Sequence, residues 1–306
     1  MRSDATYRRT RLAPTPSGFL HIGNIASFVL TAGLARRYGA SVLLRIDDLD
    51  RQRMRREFVD DIFETLQFLG IPWDEGPRDT DGFLRSWSQQ ARRGLYTEAL
   101  DGLRARGAVF ACRCSRSALA RVAPDGAYPG TCLPLGLPLD GGEGHSWRVL
   151  PVPDTRIPVT DPRGVSETHP LPPDMRSFVV RKRDGEASYQ LASLVDDLHF
   201  EVDLVVRGMD LLGSTLAQLQ LAGLLPENGF GRTAFVLHPL LSDERGGKLS
   251  KSAGSTSIRQ LRREGLDRAS VFYRLSTVLG MEEPASDWGG LFRGLVSAGW
   301  AEGSFH

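Results

Sequence analysis

The stretch from Arg11 to Asn24, RLAPTPSGFLHIGN, constrains this chain most, because a turn built from Pro16, Ser17 and Gly18 leads straight into an apolar helical pattern. Ile25, Phe28, Val29, Ala32 and Ala35 recur at spacings of three and four, so a helix is expected to start near His21–Gly23, directly after the turn, and to stop at Gly39. Free N–H groups and the positive end of the helix dipole favour an anion at such a start. Gly18 and Gly23 would let its atoms approach the backbone, and His21 would add a donor.

Far along the chain, Lys248-Leu249-Ser250-Lys251-Ser252 follows the apolar run AFVLHPLL and the turn SDERGG. Two lysines and two hydroxyls suit a polyphosphate. By itself such a pentapeptide reads as a solvated loop.

Between these landmarks the apolar pattern alternates between strand-like and helical segments. SVLLRIDDLD reads as a buried strand over Val42–Ile46 that delivers Asp47, Asp48 and Asp50 to its end; the cluster serves either a ligand or, with Asp50 as N-cap, the next helix. REFVDDIFETLQFLG is a helix with an apolar face ending at Gly70, and SWSQQARRGLYTEALDGLRARG is a second ending at Gly107, with Arg92 and Arg93 expected on a solvated face. MRSFVVRKRDGEASY reads as a hairpin turning at Asp184-Gly185, and Trp147–Val152 as a short strand. YQLASLVDDL is a helix, DLVVRGMDLL a buried strand, and STLAQLQLAGLL a helix capped by Ser214. Strand and helix recur in turn, which predicts an α/β fold with a largely parallel sheet. Arg207 ends its strand, where a guanidinium suits a carboxylate, and Asp47 ends another, where it can hold an amino group; an amino acid satisfies both.

All three cysteines cluster as Cys112, Cys114 and Cys132, with Tyr128 in YPGTC between them. Three thiolates and the phenolate can complete a zinc tetrahedron, or the thiols can pack as small apolar groups. Composition adds limits. With 306 residues, 41% hydrophobic and 25% charged, the chain has a globular balance, and it shows neither a long apolar run nor a secretory h-region, so a cytoplasmic location without membrane association is expected. A net charge of +1 provides no global attraction to nucleic acid, which leaves RNA binding to local basic patches.

Taken together, PTPSGFLHIGN and KLSKS resemble the HIGH and KMSKS signatures of class I aminoacyl-tRNA synthetases. RLAPTPSGFLHIG, LLRIDDLD, FACRCSR with YPGTC, VVRKRDGEASYQLASLVDD, LVVRGMDLL and KLSKS resemble, in order and spacing over residues 11–252, the glutamyl-Q tRNA(Asp) synthetases, truncated paralogues of glutamyl-tRNA synthetase. That resemblance implies a Rossmann-type parallel-sheet catalytic domain split into 1–107 and 176–252, a zinc-bearing insertion over 108–175, and a short helical part over 253–306; there the helical pattern SIRQLRREG is expected to turn Arg259, Arg262 and Arg263 to solvent. It implies glutamate held by Arg11, Ala13, Thr15, Asp47, Tyr189 and Arg207. ATP, with Mg2+ on its triphosphate, would lie against His21, Gly23, Asn24, Lys248 and Lys251, with His21 and Lys251 catalytic, and one structural Zn2+ would sit on Cys112, Cys114, Tyr128 and Cys132.

The implied reaction is ATP-dependent activation of glutamate without tRNA, then transfer to the queuosine ring in the anticodon of tRNA(Asp), by a monomer. A short synthetase charging a tRNA 3′ end, a nucleotidyltransferase and a non-catalytic paralogue are the competing readings. The motifs depart from the family at Asn24, where a second histidine is common, at Asp47, where glutamate is usual, and at Arg51, where proline is common.

Overall fold

The computed structural model describes residues 5–123, 125–140, 144–240 and 256–301. Strand β1 (Arg9–Leu12) leads through the Pro-Ser-Gly turn to helix α1 (Ile22–Tyr38), and β2 (Ser41–Leu44) returns parallel to β1 with Arg9 opposite Ser41 and Leu12 opposite Leu44. Helix α1 starts at Ile22, inside the expected 21–23, and ends on Gly39 in the left-handed region, as its sequence predicts, but it does not follow the turn directly. Phe19 and Leu20 intervene, with the Leu20 N–H bonded to Asp61 Oδ2 (3.1 Å), and His21 is the N-cap.

Helix α2 (Arg56–Leu69) ends at Gly70 and α3 (Arg93–Ala105) just before Gly107. Asp50 does not cap α2: Arg55 holds that place without a side-chain bond, and Asp50 is exposed. Arg92 is not solvated either. It is 7% exposed and pairs with Asp196 through Nε (2.7 Å) and Nη2 (3.1 Å), whereas Arg93 is exposed as expected.

Strand β3 (Val109–Cys112), helix α4 (Arg116–Val122) and strands β4 (Ser146–Val149), β5 (Arg156–Thr160), β6 (Ser166–Pro170) and β7 (Val179–Arg181) follow. β3, β4 and β7 form an antiparallel sheet. β4 is shorter than the expected 147–152 strand, because the backbone beyond it passes into loop. The hairpin turn at Asp184-Gly185 is present, but its return arm is a single bridge, Arg181 to Ala187, before the next helix begins.

That helix, α5 (Tyr189–His199), is followed by β8 (Leu204–Gly208), α6 (Leu212–Leu224) and β9 (Ala234–His238). β8 and β9 run parallel in register from Leu204–Ala234 to Gly208–His238. β5 joins β9 through one parallel pairing, Thr160 to Ala234. β1 lies beside β8, where the Asp203 N–H donates to Arg9 O (3.1 Å). Ser214 does not cap α6: it lies inside the helix and accepts a hydrogen bond from Gln190 Nε2 (3.0 Å).

Successive residues of β8 and β9 serve opposite cores. Leu204, Val206, Ala234 and Val236 pack with α1, whereas Val205 and Phe235 pack with α5 and α6, so both faces of the parallel sheet are covered. The C-terminal helices α7 (Ile258–Arg263), α8 (Arg268–Val278) and α9 (Trp288–Ser297) complete the first core through Leu261, Phe272 and Leu291. Arg259 and Arg262 are half-buried rather than solvent-facing, the first stacked over Phe19 and the second bonded to Glu64 (3.1 Å), while Arg263 is exposed.

Candidate active site

The parallel strands β1, β2, β8 and β9 all end on one side, and a cavity of about 760 Å³ opens there. This is where ligands collect in α/β sheets, because loops leaving the strand ends can diverge around a crevice. Arg11, Ala13, Thr15, His21, Gly23, Asn24, Asp47, Tyr189 and Arg207, singled out from sequence, all line this cavity. Lys248 and Lys251 lie outside the described residues. The chain enters that segment from Leu240 and leaves it into Thr256, and both of these flanking residues line the cavity.

One wall is the start of α1. His21 Nδ1 accepts from the Gly23 N–H (3.2 Å), and Asn24 Oδ1 accepts from the His21 N–H (3.0 Å), a reciprocal capping box. Accepting at Nδ1 places the neutral imidazole proton on Nε2. Asn24 spends its oxygen on the cap, so its amide nitrogen is the part able to donate to an anion.

A buried charge cluster backs another part of the lining, through Arg11, Arg45, Asp47 and Arg207. Asp197, fully buried in α5, accepts through Oδ1 from Arg45 Nη1 (2.6 Å) and Arg11 Nε (3.1 Å). Burial alone would raise its pKa, but the guanidiniums of Arg11, Arg45 and Arg207 outweigh that and hold the carboxyl below its ordinary value. Asp47 receives two bonds from Arg45, at 2.8 Å and 3.1 Å; its pKa is raised because burial exceeds the pull of that pair. Arg207 gives Nη1 to Gln218 Oε1 (2.9 Å), while its Nε and Nη2 have no hydrogen-bond partner. Burial lowers its pKa to about 10.

Arg45, Asp197 and Gln218 escaped the sequence reading. A charged residue at the end of the apolar run VLL was the available signal for Arg45. A third wall was missed as well: His238 stacks on Trp300 with 5.3 Å between centroids and 11° between planes, and both line the cavity.

A second cluster lies apart from the cavity. The sulfurs of Cys112, Cys114 and Cys132 all lie within 4.8 Å of one another, and those of Cys114 and Cys132 are 3.5 Å apart. Tyr128 Oη accepts from the Cys132 N–H (2.8 Å) and from Cys112 Sγ (3.5 Å), so the phenol oxygen adjoins the same group. Tetrahedral zinc at ~2.3 Å from each sulfur needs sulfurs about 3.8 Å apart. The three cysteines could hold that ion with little movement.

Comparison with known proteins follows the same lines. Residues 8–124 match the family described as tRNA synthetases class I (E and Q), catalytic domain. A protein of Parasynechococcus marenigrum (strain WH8102) named glutamyl-Q tRNA(Asp) synthetase is 39% identical over 93% of this chain and 87% of its own length. One of the same name from Geobacter sulfurreducens is 38% identical over 96% of this chain and 91% of its own length.

The chain belongs to the glutamyl-Q tRNA(Asp) synthetase family.

Membership places it among the class I aminoacyl-tRNA synthetases, which are ATP-dependent ligases. Among solved structures, glutamate-tRNA synthetase from Elizabethkingia anophelis superposes with a TM-score of 0.73 at 20% identity, covering 94% of this chain and 65% of that one. Mycobacterium tuberculosis methionyl-tRNA synthetase superposes with a TM-score of 0.52 at 14% identity. At these identities the likeness speaks for the fold: a class I catalytic domain with a parallel sheet, present here with the cysteine cluster and C-terminal helices. Among the described residues no helix is long and apolar enough to cross a membrane.

Proposed function

We propose that the protein activates glutamate with ATP and transfers it to queuosine in the anticodon of tRNA(Asp). The observation that carries this reading is a carboxylate site and an anion site in one cavity: the Nε and Nη2 of Arg207, which make no hydrogen bond, on one wall and the start of α1 on another. An amino acid and a nucleoside triphosphate suit that pair. The relatives' name supplies the acceptor.

In the first step the α-carboxylate of glutamate attacks the α-phosphorus of ATP in line, forming the acyl-adenylate and expelling pyrophosphate. Arg207, with Tyr189 beside it, takes the side-chain carboxylate, and the Asp47 carboxylate draws the amino group. The loop after β1, with Ala13 and Thr15, lines the path between them, and Arg11 holds Asp197 in place. The α1 start, with His21, Gly23 and Asn24, receives the phosphates together with Lys248 and Lys251. Mg2+ on the triphosphate would neutralise part of its charge. Zn2+ on Cys112, Cys114, Tyr128 and Cys132, none of which lines the cavity, would brace the antiparallel part. In the second step a hydroxyl of the queuosine cyclopentenediol attacks the acyl carbon and AMP leaves.

The test is transfer of labelled glutamate to tRNA(Asp) with and without queuosine, followed by nuclease mapping. Label is expected in the anticodon-loop fragment of the modified tRNA alone. Label at the terminal adenosine would make the protein a synthetase that charges the 3′ end, and an absence of glutamate-dependent pyrophosphate exchange would make it a non-catalytic paralogue.

A further inference from the structure

The glutamate wall holds more positive charge than its own carboxylates can match. Arg11, Arg45, Arg207, Asp47 and Asp197 form one contact chain, and their exposures are 5%, 2%, 4%, 8% and 0%. Three cations face two anions out of water. The neighbouring Asp196 does not alter the balance, because Arg92 pairs with it through two hydrogen bonds.

The surplus charge has a definite location. Arg45 uses Nε and Nη2 on both oxygens of Asp47 and Nη1 on Asp197 Oδ1. Arg11 takes the same Oδ1. Arg207 is left with a single 3.9 Å approach of Nη2 to Asp197 Oδ2 and with the neutral Gln218 (2.9 Å) and Thr215 (3.4 Å) on Nη1. Its Nε and Nη2 make no hydrogen bond.

We infer that Arg45 is a specificity-determining positioning residue: by neutralising Asp47 it leaves the net positive charge at Arg207, so the pocket selects an anionic amino-acid side chain over its neutral amide. The inference rests on the proposed activation of glutamate. A glutamate carboxylate supplies both the missing charge and acceptors for two N–H groups. Glutamine would offer one acceptor and would set its own N–H2 against a donor, leaving buried groups unpaired. The shorter Asp47, in place of the family's usual glutamate, then serves the amino group without deciding the side chain.

The experiment is amino-acid-dependent pyrophosphate exchange by the full chain, comparing glutamate with glutamine. Gln218→Glu places a carboxylate on Arg207 from inside α6 with almost no change of shape, and Arg45→Gln removes one cation. Each is expected to lower the glutamate-to-glutamine ratio of kcat/KM by at least about tenfold, mainly through the glutamate KM, since discrimination here lies in unpaired polar groups. Arg45→Lys keeps the charge and is expected to hold the ratio within about threefold even if the rate falls. Asp47→Asn should raise KM for both amino acids alike. A wild-type ratio in folded Gln218→Glu overturns the inference, and so does a collapse of the ratio in Asp47→Asn alone. If the wild type exchanges no glutamate, the inference and the proposed function fall together; if it does and the variants keep its ratio, only the inference falls.

Discussion

Phe292 of α9 occupies the space that a β-carbon on Gly33 of α1 would need: such an atom would lie 2.1 Å from the ring. Arg36 and Arg37 lie over Trp288 and Phe292, at 4.2 Å and 5.5 Å from the ring centroids, and cover the contact from outside. Helix α9 therefore lies against α1, and the turn after it presents Trp300 to the cavity. A residue without a side chain thus joins the C-terminal part to the site.

Gly33→Ala is expected to lower stability by about 1–3 kcal/mol, because overpacking against a ring outweighs the ~1 kcal/mol that alanine gains in a helix interior. Thermal melting checks it. Adding Phe292→Ala should make the pair of changes less destabilising than their sum. Strict additivity would show that the two residues do not share the space.

Arg207→Ala should lower kcat/KM for glutamate by roughly 100-fold or more, about 3 kcal/mol, since removing one partner strands the other's buried charge. Lys251→Ala should act mainly on kcat, by about 2.7–4 kcal/mol if it stabilises charge that develops only in the transition state. Pyrophosphate exchange without tRNA, with glutamate and ATP varied separately, distinguishes the two effects. An unchanged glutamate KM in Arg207→Ala would remove that residue from the amino-acid site.

About one zinc per chain is expected from elemental analysis of protein purified without chelator. Cys132→Ser should lose the metal and loosen the end of the β3–β4 pair, where Ser146 Oγ donates to Cys112 O (3.1 Å). Three freely titrating thiols and no metal would leave the cysteines as packing.

His238 gives a pH dependence. Its pKa lies below 6.5, lowered first by burial, with the Pro239 carbonyl and the Asp210 charge opposing. The unfolded chain therefore takes up this proton before the folded one does, so the contribution is complete above about pH 6.5 and declines as the pH falls toward the folded value. His238→Phe keeps a ring against Trp300 and should flatten that limb of the stability curve. A denaturant titration at several pH values would read it; the same limb in the variant would assign it to another group.

The elements were largely legible in the sequence. Helix α1 stops where Gly39 stops it, and β8 and β9 lie inside their apolar runs, because periodicity and left-handed glycines are local signals. The cavity-lining residues could be named because short motifs, resembling those of a known family, carry them at strand ends and helix starts. The capping errors at Asp50 and Ser214 arose where a polar residue near a helix start has other work or none.

By itself, the sequence determined an α/β alternation, a polar turn before α1, an acidic strand end and a cysteine cluster, all properties of neighbours along the chain. Only the tertiary structure decided the charge partners. Arg11 reaches Asp197 across 186 residues, Arg45 reaches it across 152, and Arg92 reaches Asp196 across 104. The local pattern reads Arg92 as solvent-seeking and gives no partner for Arg45. Burial beside a carboxylate supplied by a distant helix reverses that preference, because a desolvated ion is tolerated only where its counter-charge is already held in place.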